Sequence, residues 1–268
     1  MDPMNSAIKD IKNPMDLSGK NVIVTGGNRG IGFGISTAFA QRGARVAILC
    51  RNVEEGRRAA AGLVSEGYKV TAVKCDISSG ESVRQAVEVV WKDFGRVDVL
   101  VNNAGISLKK AFLELDDDLK EFTGIVDVNL IGTVRITLAC AKRMAQAGGG
   151  CIINITSVGG FLSSAAEFQP MSGYQASKAA LNHLTKVLAV ELGRHNIRVN
   201  GVAPGPTHSA LDDMMDEKMR NSAGGKMCTR RFGEGIEVGA MCAFLASAEA
   251  AQIDGSIIAV DGGLLVKA

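Results

Sequence analysis

Seven short runs rich in β-branched residues recur along this 268-residue chain, and as a set they read as continuously apolar rather than alternating. They are NVIVTG (21–26), ARVAILC (44–50), YKVTAVKCD (68–76), VDVLVNNAG (97–105), GCIINITS (150–157), IRVNGVAP (197–204) and GSIIAVDGG (255–263). A strand that is apolar along its length needs cover on both faces, as in a parallel sheet flanked by helices. Segments with apolar residues every three or four places separate the runs, SVRQAVEVVWKDFG among them. The pattern predicts an α/β, single-domain, doubly wound Rossmann-type fold. Its seven-stranded parallel sheet carries helices on both faces and right-handed crossovers.

Two segments break this rhythm. Residues 1–16 read as a flexible N-terminal arm, leaving 17–268 as the domain. Residues 206–235, PTHSALDDMMDEKMRNSAGGKMCTRRFGEG, exceed a usual strand-to-helix connection and read as a substrate loop. Thirty Lys and Arg against 28 Asp and Glu leave a formal charge of +2, which gives no electrostatic case for nucleic acid or a membrane surface. No apolar run is expected to span a membrane. The first residues, MDPMNSAIKDIKNPMD, are acidic and lack an apolar h-region, so no secretory signal is expected. The six cysteines and three histidines are scattered without metal-ligand spacing, which suits buried thiols in a reducing, cytoplasmic setting and no metal site.

In a doubly wound sheet, ligands bind beyond the carboxyl ends of the strands. The first run continues into TGGNRGIG, which places Gly26, Gly30 and Gly32 in a G-x-x-x-G-x-G turn. Glycines there permit a tight turn, and the following helix offers free N–H groups to a pyrophosphate. The second run ends in Cys50 and Arg51, with no carboxylate before Glu54, and Arg29 lies inside the glycine turn. An acid at that strand end would select NAD, whereas arginines suit a 2′-phosphate, so the predicted cofactor is NADP(H).

Tyr174 and Lys178 stand at i and i+4 in the helical pattern that runs from 173 to 194, and so share one face. A half-buried Tyr beside a lysine stem is ordinary packing. Alternatively, the ammonium lowers the phenol's pKa and makes it a general acid or base.

TGGNRGIG, NNAG (102–105), YQASK (174–178) and PG (204–205) occur together in an order that resembles the short-chain dehydrogenase/reductase superfamily from about residue 17 to 263. The resemblance implies that Tyr174 is the catalytic acid/base and that Lys178 binds the nicotinamide ribose. It implies further that Ser157 stabilises the substrate oxygen and that Asn129 holds a water in the proton relay. Asp76 would face the adenine, and Asn102, Asn103, Ala104 and Gly105 would line the cofactor cleft. Asn28, Ile31, Asn52, Ile77, Pro204, Gly205 and Thr207 complete the implied cofactor contacts. The family's threonine after the Pro-Gly turn has two candidates here, Thr207 and Ser209.

The implied reaction moves a hydride between NADP(H) and a secondary alcohol or ketone, of steroid-like or polyol/sugar-acid type. The alternatives are a 3-oxoacyl thioester reductase of fatty-acid synthesis and, in another class, a non-catalytic dinucleotide-binding sensor or scaffold. The stretch from Ser157 to Tyr174 is longer than is usual in the family. Leu211, Met214, Met215, Met219 and Met227 give the 206–235 loop an adaptable apolar character, suited either to a lid over small-molecule substrate or to packing the loop statically onto the domain. The helical segments at 118–147 and 173–194 are apolar on more than one face, and by resemblance would pair in a homotetramer or homodimer.

Overall fold

Val22, Ile23 and Val24 lose all solvent exposure in the sheet, as do Ala47 and Ile48 in the neighbouring strand. The computed structural model describes residues 15–163, 171–208, 225 and 227–267. Its strands are β1 (Asn21–Thr25), β2 (Arg45–Cys50), β3 (Val70–Lys74), β4 (Val99–Asn102), β5 (Gly150–Ile155), β6 (Ile197–Pro204) and β7 (Ile257–Val260). They form one seven-stranded sheet in the order β3-β2-β1-β4-β5-β6-β7, with every pairing parallel. The chain runs outward from β1 to β3, returns to place β4 beside β1, and then runs outward the other way. The crevice between the carboxyl ends of β1 and β4 is therefore the topological switch point.

Two apolar layers cover the sheet. On one face, α1 (Gly30–Gln41) and α7 (Gly235–Ala246) contribute Ile35, Phe39, Val238, Cys242 and Leu245. On the other, α3 (Gly80–Phe94) and α5 (Thr133–Gln146) contribute Val83, Val87, Val90, Ile136, Cys140 and Met144. Burying each large side chain is worth about 1.5–3 kcal/mol, which is why the continuously apolar runs became central strands. The edge strands β3 and β7 are only half-buried. The remaining helices are α2 (Val53–Ser65), α4 (Lys120–Val126), α6 (Ser172–Gly193) and the short α8 (Leu264–Lys267).

Three features add detail to the sequence reading. The helical run at 118–147 is not uniform, because α4 passes into α5 through a π turn over Asp127–Gly132. The whole helix, Lys120–Gln146, is long and apolar enough by length and composition to cross a membrane, with a mean hydropathy of 1.5. Its inner side, including Ile136, Thr137, Cys140 and Met144, is instead buried against the domain. The arm's last residues, Met15 and Asp16, are described, and the Met15 N–H donates to Glu249 Oε1 at 2.8 Å. The rest of the arm, like residues 209–224 and 226 of the long loop, lies outside the described residues.

Helices α1 and α7 pack backbone against backbone. A Cβ built on Gly34 would lie 2.1 Å from the Gly235 carbonyl carbon, and one on Gly239 2.6 Å from the Gly34 oxygen. Gly34→Ala should therefore destabilise the domain by about 1–3 kcal/mol through overpacking. Gly62, on the exposed side of α2, has nothing within 4 Å of its built Cβ. Gly62→Ala should hold stability or raise it by about 0.5–1 kcal/mol. Thermal unfolding of both variants checks the contrast, and a wild-type midpoint for Gly34→Ala would contradict the packing argument.

Candidate active site

The glycine turn after β1 is built by backbone proximity. Gly26 and Gly30 adopt φ of +65° and +51°, which side-chain-bearing residues rarely do. A Cβ on Gly32 would lie 2.1 Å from the Gly26 oxygen and 2.5 Å from Asn103 Nδ2. The turn is laced to the segment after β4. Asn103 Nδ2 donates to the carbonyls of Thr25 (2.9 Å) and Gly26 (3.2 Å). The buried Thr25 hydroxyl accepts from the N–H groups of Asn103 and Ala104, both at 3.0 Å. Ser36 Oγ donates to the carbonyls of Gly27 and Gly32 from below. The helix α1 then starts at Arg29, an extended N-cap whose side chain makes no capping bond. Its first N–H groups open toward the crevice without the side-chain acceptor that ends many helices, and this cradle fits a dinucleotide pyrophosphate.

Strands β1 and β2 are neighbours, with Thr25 opposite Leu49, so the turns that follow them lie side by side. Arg29 and Arg51 are both exposed there. Asn52 caps α2, its Oδ1 accepting from the Glu55 N–H at 3.3 Å. Asn28 and Asn52 each donate their amide to the Glu55 carboxylate. Asp76 follows β3, and its Oδ1 accepts from the Ser78 hydroxyl and N–H at 2.7 and 2.9 Å. Those bonds, with a lesser contribution from the Arg51 charge, hold its carboxyl below the ordinary range. Ile77 is buried, with its side chain against Gly132 of the π turn rather than toward the crevice. Ile31 packs against the apolar layer shared by α1 and α7.

Asn102 does not line the cleft. Successive side chains at a strand end point opposite ways. That of Asn102 enters the core, donating to Thr137 Oγ1 (2.8 Å) and Asn154 Oδ1 (2.9 Å). Asn103, Ala104 and Gly105 reach the cleft instead. A Cβ on Gly105 would come within 3.1 Å of Asn129 Oδ1 and 3.7 Å of Lys178 Nζ, so the chain passes directly over both side chains.

Ser157, Tyr174, Lys178 and Asn129 converge from β5, α6 and the π turn. The phenol of Tyr174 is hydrogen-bonded to the Ser157 hydroxyl. Ser157 Oγ also accepts from the Gly159 N–H at 3.0 Å. Lys178, one helical turn along α6, is buried and donates from Nζ to the Ile155 carbonyl at 2.7 Å, two residues before Ser157. Its Nζ lies 5.6 Å from the Tyr174 ring centroid. Burial moves the two groups in opposite directions. The Lys178 ammonium is brought down to about 8. The expected lowering of the Tyr174 pKa by the lysine does not win. Desolvation raises the phenol above its ordinary value, and the bond to Ser157 opposes that rise.

Asn129 is buried and fully committed. Oδ1 accepts from the Ile106 N–H (2.8 Å), and Nδ2 donates to the Ile106 carbonyl (2.9 Å) and to Ser177 Oγ (3.1 Å). Ser177 in turn donates to the Tyr174 carbonyl at 2.7 Å. The side chain thus fastens the segment after β4 to α6. Sequence reasoning did not single out Thr25, Ser36 or Ser177. Only the position of Thr25 at the strand end, just before the glycines, carried any hint of it.

At the far side of the crevice, Pro204 ends β6 and Gly205 packs closely on Asp261, its built Cβ 2.7 Å from the Asp261 Cα. Thr207 is buried, bridges to Gly233, and donates from Oγ1 to the Gly205 carbonyl at 2.9 Å. The Gly233 N–H donates to Pro206 and the His208 N–H to Gly233, both at 2.9 Å, so the two ends of the 206–235 loop are tied together. Met227 is buried at the far end. Ser209 and the other loop methionines lie outside the described residues, and so does the lid expected of them. No group of His, Cys, Asp or Glu suited to a metal occurs among the described residues.

Residues 26–265 match a family model described as enoyl-(acyl carrier protein) reductase. The chain is 34% identical to a 3-oxoacyl-[acyl-carrier-protein] reductase of Chlamydia muridarum, over 92% of its own length and 98% of that protein. It is likewise 34% identical to a 5-keto-D-gluconate 5-reductase of Escherichia coli, over 93% and 97% of the two chains. A gluconate 5-dehydrogenase from Burkholderia cenocepacia, solved in complex with NADP and tartrate, superposes with a TM-score of 0.87 at 31% identity, covering 94% and 97%. The all-parallel seven-stranded sheet with its switch point at β1 and β4 agrees with these matches, and the chain belongs to the short-chain dehydrogenase/reductase superfamily of oxidoreductases.

Proposed function

We propose that this protein interconverts a secondary alcohol and a ketone with NADP(H), using Tyr174 as the acid/base. The observation that carries the reading is the convergence of Ser157, Tyr174 and Lys178, with Lys178 Nζ 5.6 Å from the phenol ring centroid under the Gly105 segment. The residues present fit a nicotinamide dinucleotide, because the glycine turn leads directly into α1, whose first N–H groups carry no side-chain cap. When bound, that cofactor supplies or takes up the hydride at the carbinol carbon. The protein's task is then the proton on the neighbouring oxygen. A phenol raised above its ordinary pKa stays protonated at neutral pH and is ready to donate to a carbonyl oxygen. Ser157, already bonded to that phenol, is placed to share the same oxygen and hold it in line. Lys178 fixes the phenol's surroundings from the far side, anchored on the Ile155 carbonyl. Asn129 keeps the Ile106 and α6 backbones in register around them.

The relatives named above carry two substrate classes in their names, an acyl thioester and a keto sugar acid. A panel of both, with alcohols and ketones of other shapes, followed by nicotinamide absorbance, identifies the class. Tyr174→Phe should lower kcat by about 10²–10⁴-fold and leave cofactor affinity unchanged. A variant that keeps more than about a tenth of wild-type kcat contradicts the acid/base assignment.

The NADP(H) choice rests on charge. Arg29 and Arg51 follow β1 and β2 side by side, and Cys50 stands where an acid would select the unphosphorylated ribose. The neighbouring gluconate 5-dehydrogenase holds NADP. Arg51→Asp should swing the ratio of kcat/KM values toward NADH, since it adds a partner for ribose hydroxyls and repels a phosphate. Equal kcat/KM for the two cofactors in the wild-type protein refutes the charge argument.

We also propose a homotetramer. Leu138 on α5 is 53% exposed and Val190 on α6 is 84% exposed, and Ile131, Val134 and Val187 extend the same apolar surfaces. Two such helices per chain suit a symmetric four-copy assembly. Light scattering at micromolar concentration should give about four times the 28.0 kDa chain mass, and the mass of a single chain excludes the assembly.

A further inference from the structure

A hollow between the starts of α1 and α2 is lined by Asn28, Arg29, Phe33, Glu55, Arg58 and Ala59. It is basic apart from one carboxylate, and that carboxylate is held still. Glu55 Oε2 accepts from Asn28 Nδ2 at 3.2 Å, and Oε1 accepts from Asn52 Nδ2 at 2.8 Å. The Glu55 N–H returns a bond to Asn52 Oδ1, so the side chain is a strut from the glycine turn to the first turn of α2. Each amide that holds it is the chain neighbour of an arginine: Asn28 precedes Arg29 and Asn52 follows Arg51. The neighbouring acid Glu54 faces elsewhere, paired with Arg57 at 2.6 Å.

We propose that Glu55 is a second cofactor-specificity residue, a fixed anion beside the 2′-position that weakens the hold on a phosphorylated nucleotide and leaves its unphosphorylated counterpart nearly unaffected. The proposal rests on the dinucleotide reading above. A 2′-phosphate drawn to Arg29 and Arg51 arrives next to the two amides that Glu55 already occupies. It meets a half-buried negative charge that cannot swing away without releasing both bonds. A ribose hydroxyl at the same place is uncharged and meets no such repulsion. Specificity is a difference between two affinities, and a repulsive element sets it as effectively as an attractive one. Arg29 and Arg51 thus favour the phosphate while Glu55 limits how strongly they do so.

Glu55→Gln removes the charge and keeps the side chain's length and one of the two acceptors that the asparagine amides use. Glu55→Ala removes the charge and the strut together. Calorimetric titration of the full chain with adenosine 2′,5′-bisphosphate and with 5′-AMP separates these effects without relying on turnover. Glu55→Gln should tighten the bisphosphate about five- to tenfold while 5′-AMP stays within about twofold. Glu55→Ala should show the same gain in discrimination, on top of any loss common to both nucleotides. If either variant leaves the ratio of the two affinities at its wild-type value, the charge role is overturned and Glu55 is a strut alone. A wild-type protein that binds neither nucleotide overturns the dinucleotide reading itself, and the proposal with it.

Discussion

The contact on which the site depends is that between the glycine turn after β1 and the backbone after β4. There is no room for a Cβ at Gly32 between them, and the Asn103 amide and the Thr25 hydroxyl make the polar bonds that join them. Each of these bonds adds about 0.5–1.5 kcal/mol net, yet leaving one of the buried partners unmade costs about 1–3 kcal/mol. The lacing is therefore specified more by what its loss would expose than by what its presence adds. With it closed, Gly105 lies over Asn129 and Lys178.

The two ends of that crevice work by different physics. At the proposed nucleotide end the charges of Arg29 and Arg51 are exposed, so their attraction is screened beyond about 8–10 Å and sensitive to salt. At the catalytic end Lys178 is buried and the Tyr174 phenol is desolvated, so pKa values move by burial more than by pairing. In the proposed function, selection of a cofactor and movement of a proton draw on separate sets of residues, which Asn129 and the Gly105 segment join.

Fold and motifs were legible because they depend on short-range pattern. Strands buried on both faces must be apolar at every position, so the runs at 21–26 and 150–157 announced themselves. The Tyr174–Lys178 spacing similarly fixed a shared face of α6. Less legible was whatever depends on the direction or environment of a side chain. Asn102 and Asn103 are indistinguishable as letters, but one turns into the core and the other into the crevice. The π turn that carries Asn129 has no signature in DVNLIG, because it adds one residue per turn without changing the apolar pattern. The sign of the Tyr174 shift depends on how much water the fold removes, which no spacing reports.

Strand order has a consequence for synthesis. The bonds that close the glycine turn join Thr25 to Asn103, 78 positions later in the chain. At ribosomal speeds of about 5–20 residues per second, the interval between the emergence of these two residues is about 4–16 s. During it β1 can pair with β2, and β2 with β3, but the inner side of β1 has no partner until β4 arrives. A nascent three-stranded sheet with one open apolar edge is a template for pairing with another chain. Every later strand finds its next neighbour sooner. Among the strands that end with a neighbour on each side, β1 waits longest for its second one.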